Sequence, residues 1–193
     1  MLNQLIVALL SSGALAGLIF LLRRVTKVQV WDERWHACFV TANQGWFWRR
    51  VAWVTQPKLM VGWCFLLAVV QWSTRGWLGA LGVLAGLGGA NVIGIIIKHT
   101  LKRPRPVQHL AHDDGYSFPS GHVLGTTVMT VMLWQLYGPA WWLAGSLLLW
   151  WGLVAYSRLT LRAHYPSDVV GAVLLALSWL SWLKWLIQLL GWF

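Results

Sequence analysis

SRLTLRAHYPSD, residues 157–168, is a polar segment set between two long apolar runs, 141–156 and 169–190. Apolar runs of that length around a charged turn read as one helix crossing a bilayer and a second crossing back. The turn itself is reactive. His164 and Asp168 lie four residues apart, and on a helix that spacing puts both side chains on one face. Asp168 is therefore expected to hydrogen-bond the ring of His164. A carboxylate held against one imidazole nitrogen fixes the tautomer and leaves the other nitrogen as base or nucleophile. Arg158 adds a fixed positive charge. Nucleophile, orienting group and anion clamp within twelve residues point to phosphoryl or acyl transfer.

Composition sets the class. Of 193 residues, 58% are hydrophobic and 10% charged, against about 25% charged in soluble domains. The chain reads as an integral membrane protein. Its net charge of +10 does not imply a nucleic-acid partner, because the basic residues are scattered through the turns between spans. Anionic lipid headgroups account for the same charge. The 17 tryptophans, such as Trp72, Trp77, Trp141 and Trp142, sit near the ends of apolar runs and form an interfacial belt. Cys38 and Cys64 have no metal-ligand spacing and read as free thiols.

Working outward, the first span covers residues 5–22 and is stopped by Arg23, Arg24 and Lys27. Residues 30–55 are too charged to span. Trp31, Trp35 and Phe39 recur every four residues there, and Trp46 and Trp53 are seven apart. Two short amphipathic helices hinged at 43–45 and lying on the membrane surface are the expectation. The second span is 58–72, residues 73–76 turn the chain, and 77–97 is the third. Gly82, Gly86, Ala90 and Gly94 line one face of that third span, which favours close helix packing at the centre of the bundle. After a polar loop (98–119), spans follow at 120–137, 141–156 and 169–190. The fold class is all-α: a six-transmembrane-helix bundle, one domain over residues 1–193. Counting the crossings brings three polar stretches to one membrane face.

Each stretch alone has a plain structural explanation. KHTLKRPRP (98–106) could anchor a helix end, PSGH (119–122) could be a helix cap, and His164–Asp168 a structural pair. Together they supply Lys98, Arg105 and Arg158, the open amides of a helix start at Ser120 and Gly121, and two histidines, His122 and His164. Phosphate is the ligand such a set fits. One histidine attacks phosphorus while the other protonates the departing oxygen.

Lys98–(six residues)–Arg105–Pro106, then Pro119–Ser120–Gly121–His122, then Ser157–Arg158–(five)–His164–(three)–Asp168 resembles the full three-part signature of the type-2 phosphatidic acid phosphatase family, to which vanadium haloperoxidases are related. The motifs occupy residues 98–168, and the span pattern is similar to small bacterial members acting on phosphatidylglycerophosphate or undecaprenyl pyrophosphate. The resemblance implies His164 as the nucleophile that becomes a phosphohistidine, Asp168 as its orienting partner and His122 as the general acid. It implies Lys98, Arg105, Ser120, Gly121 and Arg158 as phosphate-binding groups. No metal or other cofactor is implied, and the expected partners are a phospholipid or isoprenoid phosphate and the bilayer. The alternatives are a vanadate-dependent haloperoxidase-like enzyme and a non-catalytic lipid-binding membrane protein.

Orientation draws two opposed expectations. Thirteen of the fifteen Lys and Arg residues fall on the active-site side, leaving Arg75 and Lys184 opposite. The positive-inside rule turns that side to the cytoplasm, whereas the resemblance implies an extracytoplasmic site in the plasma membrane. The expectation adopted is the second. Residues 107–117 form a candidate substrate cap or a solvated loop, and Thr126 either faces another helix or lines the lipid path.

Overall fold

The computed structural model describes residues 1–40, 45–106 and 115–191. Among them all regular structure is helical. The helices are α1 (Leu2–Arg24), α2 (Thr26–Phe39), α3 (Trp46–Val54), α4 (Pro57–Leu101), α5 (Gly121–Tyr137), α6 (Trp141–Thr160) and α7 (Pro166–Leu189). The hinge expected at 43–45 falls mostly outside the described residues, as does most of the 107–117 loop.

Local chemistry sets the boundaries. Pro57 and Pro166 stand in the first turns of α4 and α7, where a missing N–H costs nothing. Gly138 ends α5 at φ 83°, a backbone conformation that suits glycine, and Pro139 blocks continuation. The turn expected at 73–76 narrows to a single residue. α4 runs for 45 residues but breaks at Gly76 (φ 72°, ψ −170°), so the second and third expected spans are two arms of one interrupted helix.

The arm of α4 after Gly76 packs against α5 and α7, and α1 lies along α7. The small-residue stripe makes this possible. A side chain at Gly86 would collide with Met132 and press on Leu180, and one at Gly94 would press on Leu124. Trp179 donates its indole N–H to the Ala85 carbonyl at 3.0 Å, while Ser12 and Ser178 hydrogen-bond at 2.6 Å across α1 and α7. Helices α1, α4 and α7 are each long and apolar enough to cross a membrane. Their outer faces carry exposed Phe20, Val69 and Ile95, the pattern of a bundle solvated by lipid. The protein is an integral membrane protein built of helices.

Hydrogen bonds show which helix ends meet. Arg23 at the end of α1 donates to the Thr100 carbonyl at the end of α4 (2.9 Å). The Ser120 N–H at the start of α5 reaches the Asp168 carbonyl in the first turn of α7 (3.2 Å). At the other end, Arg75 bonds the Leu136 carbonyl. The three polar stretches therefore share one end of the bundle, as the sequence implied.

The helix α2 is seated inside out. Its tryptophans, Trp31 and Trp35, are 63% and 61% exposed, whereas Asp32 and His36 are only 6% and 8% exposed against the bundle. In water the apolar stripe would turn inward; beside lipid it faces outward, and the polar face finds partners in the protein.

Candidate active site

His164 lies in the short connection between α6 and α7, held by groups from three directions. Its own N–H and that of Ala163 bond the Arg158 carbonyl at the end of α6. Its ring Nδ1 lies 2.8 Å from the Ser117 carbonyl. A carbonyl only accepts, so Nδ1 carries the proton and the lone pair stays on Nε2. Arg105 reaches the same place. One terminal nitrogen donates to the Ala163 carbonyl at 2.8 Å and stands 3.5 Å from His164 Nε2. His164 Nε2 and the Arg105 guanidinium thus face one point.

Asp168 comes beside the imidazole as expected, although not through a helical turn. α7 begins at Pro166, so His164 precedes the helix. Asp168 Oδ2 stands 3.5 Å from His164 Nδ1 and also accepts the Tyr165 backbone N–H at 2.9 Å. Its Oδ1 accepts from Arg103 at 2.6 Å. The shorter contact of His164 Nδ1 is to the Ser117 carbonyl.

The second histidine comes from the first turn of α5. His122 hydrogen-bonds the Ala52 backbone in α3, and the charges of Arg158 and Arg105 bear on its ring, with His164 also close enough to act on it. Ser120 is the N-cap residue of α5, yet its side chain makes no capping bond. Its buried Oγ has no hydrogen-bond partner among the described residues. That hydroxyl and the Gly121 backbone sit at the helix start, where free amides favour an anion. Arg158 is buried in the last turn of α6, and Lys98 is half-buried in the last turn of α4.

Residues 79–192, more than half of the chain, match the PAP2 superfamily. The chain belongs to the PAP2 superfamily. All three PAP2 motif stretches lie inside or just beside the bundle end described above. The fold agrees: a transmembrane PAP2-type phosphatidylglycerolphosphate phosphatase from Bacillus subtilis aligns with a TM-score of 0.74, at 22% identity over 97% of each chain. Among curated proteins, the chain is 37% identical over 101 residues to a decaprenylphosphoryl-5-phosphoribose phosphatase of Mycolicibacterium smegmatis, covering 50% of this chain and 52% of that one. It is 38% identical over 77 residues to phosphatidylglycerophosphatase B of Haemophilus influenzae, covering 36% and 32%. It is 34% identical over 110 residues to an undecaprenyl-diphosphatase of Sulfolobus acidocaldarius, covering 53% and 52%. The matched region spans about half the length of two of these relatives and about a third of the other.

This PAP2 chain has a supporting layer that the motifs do not contain. Arg103, two residues before Arg105, donates to Asp168, to Ser167 and, by a very short bond, to Asp32 of α2. Its guanidinium also lies 4.3 Å over the Tyr165 ring. Burial opposes its charge, but the two carboxylates outweigh burial and hold its pKa above the ordinary value. Asp32 in turn accepts the Ser167 N–H at 3.0 Å and its hydroxyl, capping the start of α7 from another helix. Neither Asp32 nor Arg103 is among the site residues that the sequence motifs single out. Asp32 and His36 at i, i+4 were the available signal, opposite the tryptophan stripe.

His36 makes α2 pH-sensitive. It meets the Tyr165 ring edge-on at 5.5 Å, and its buried Nε2 has no partner among the described residues. Burial is the main cause of its lowered pKa, partly offset by Asp32. The folded state then binds fewer protons than the unfolded state below the ordinary value of 6.5, so stability falls as pH drops through that value. Thermal unfolding in detergent between pH 7.5 and 5.5 should show this decline, flattened in His36→Phe. An equal decline in the variant would assign it elsewhere.

Proposed function

We propose that this chain is a multi-pass plasma-membrane lipid phosphatase working through a phosphohistidine on His164, without a metal. The observation that carries the reading is the His164 ring, its Nδ1 proton on Ser117 and its Nε2 beside Arg105. In the first step Nε2 attacks phosphorus, an N–P bond forms and the P–O bond to the lipid breaks. His122 protonates the departing oxygen. In the second step water attacks phosphorus, His122 takes its proton, and inorganic phosphate leaves as the N–P bond breaks. Lys98, Arg105, Arg158, Ser120 and the Gly121 backbone hold the phosphoryl oxygens as charge develops. Asp168, held by Arg103, supports the His164 loop.

The substrate is a phosphate monoester or diphosphate on a lipid: phosphatidylglycerophosphate, undecaprenyl pyrophosphate or phosphatidate. The names of the relatives support this class. So does an apolar cavity of about 430 Å³ beside α5, lined by Thr55, Met60, Trp63, Thr126 and Met129. Thr126 lies one turn past His122, so an acyl or isoprenoid chain in this cavity would bring its phosphate to the acid. Assay of the purified protein against the three lipids side by side should release phosphate from at least one, and orthovanadate, a phosphate mimic, should block it. Failure to release phosphate from any of them would overturn the reading.

Six passes are our reading, each arm of α4 taken as one, and its length supports this: 45 residues would form a rod of about 67 Å against a hydrocarbon core of about 30 Å. The active-site end faces outward in this reading. In a Cys38→Ser background, a cysteine introduced at Gly115 should react with an impermeant maleimide on intact cells. Labelling only after lysis would turn the site inward.

A further inference from the structure

The opposite end of the bundle holds another cavity, mostly apolar but edged by polar side chains. It has a volume of about 370 Å³, within the range of ligand sites, and opens between the break of α4 at Gly76 and the ends of α5 and α7 distant from His164. Arg75 and Lys184 line it, as do Gln71 and Gln188. Gly82 helps to leave the space, because a side chain there would meet nothing within 4 Å. The first residue of the small-residue stripe thus opens a cavity where Gly86 and Gly94 pack a helix.

Two observations independent of the cavity's shape point to a ligand. The chain's five carboxylates fall at positions 32, 33, 113, 114 and 168. None lies on α4 or α5, and Asp168 sits in the first turn of α7, at the far end of that helix from Lys184, so no carboxylate of these helices lies close in sequence to Arg75 or Lys184. Lys184 is half-buried, while Arg75 is exposed and donates to the Leu136 carbonyl, an uncharged partner; cations at a membrane surface seek an anion. Gln71 is only 4% exposed, and its Oε1 has no hydrogen-bond partner among the described residues; Gln188 Oε1 is likewise unsatisfied. An unsatisfied amide oxygen needs a donor, which a lipid phosphodiester by itself does not provide.

We propose that this cavity binds the headgroup of an anionic phospholipid from the leaflet opposite the active site, with its phosphate against Arg75 and Lys184 and a headgroup hydroxyl on Gln71. The inference rests on the membrane-spanning reading and is independent of catalysis at His164. A bound lipid there would bridge both arms of α4 to α7, the helix whose first turn carries Asp168.

The test is thermal unfolding of the full chain in neutral detergent, titrated with short-chain phosphatidylglycerol, phosphatidylmethanol, phosphatidylcholine or inorganic phosphate. Phosphatidylglycerol should stabilise the wild-type protein more than phosphatidylmethanol, which has the same charge without hydroxyls. Phosphatidylcholine and phosphate should do little. In Arg75→Gln/Lys184→Gln the half-saturating phosphatidylglycerol concentration should rise about tenfold to thirtyfold. Gln71→Leu should remove the preference for phosphatidylglycerol over phosphatidylmethanol. Stabilisation by orthovanadate, which reports the His164 pocket, should persist in all variants and shows that they fold. Equal phosphatidylglycerol response in the double variant, or equal stabilisation by free phosphate, would overturn the proposal. Absence of a vanadate effect in the wild type would count against the catalytic reading alone.

Discussion

Alanine in place of His164 is expected to bring phosphate release from lipid to background, because no other group stands where the N–P bond would form. Alanine at His122 is expected to cost about 10²–10⁴-fold, the usual contribution of a positioned proton donor. The His122 loss should shrink for substrates with a good leaving group, such as an aryl phosphate, where protonation matters less. His164→Asn supplies the control for folding. Its amide is able to donate to the Ser117 carbonyl as Nδ1–H does now, so the loop stays tied while the nucleophile is lost. Wild-type phosphate release by either position-164 variant would remove the phosphohistidine mechanism.

Loss of Arg103 is expected to be the most destabilising single change at this end of the bundle. It is held between Asp32 and Asp168, both buried. Removing the shared cation leaves two carboxylates uncompensated, and breaking a buried pair in this way costs about 3–5 kcal/mol. Arg103→Ala should unfold far earlier than wild type in a denaturant series in detergent and should lose activity with it. Arg103→Lys keeps one charge but not the fork that reaches both carboxylates, and should fall between the two. Asp32→Asn in the Arg103→Ala background should recover part of the stability, since one unpaired charge is gone. Separate, additive losses in that cycle would mean that the residues do not act as a unit.

How much of this was legible beforehand depended on the kind of interaction. The spans were readable because lipid demands long apolar helices and marks their ends with charge and tryptophan. The convergence of Lys98, Arg105, His122, Arg158 and His164 at one end followed from counting crossings. The structure bears it out through the Arg105–Ala163, Ser120–Asp168 and Arg23–Thr100 bonds. The approach of His164 to Asp168 was readable from their spacing, but not that the chain makes it through a turn before Pro166. The role of Ser117 was equally hidden, since a backbone carbonyl has no sequence signature.

The inward seating of α2 marks the same limit. Periodicity located its two faces but could not say which would meet the protein, because beside a bilayer the apolar face has a second place to go.

By itself, then, the sequence determined the helical membrane class and the set of cations and histidines gathered at one end. Those properties follow from composition and period, which act locally along the chain. Only the tertiary structure decided that Ser117 holds the His164 tautomer, that Arg103 ties Asp32 to Asp168, and that Gly82 borders a cavity while Gly86 packs a helix. Each of these depends on where a distant backbone or side chain arrives, and single-chain spacing does not encode that distance.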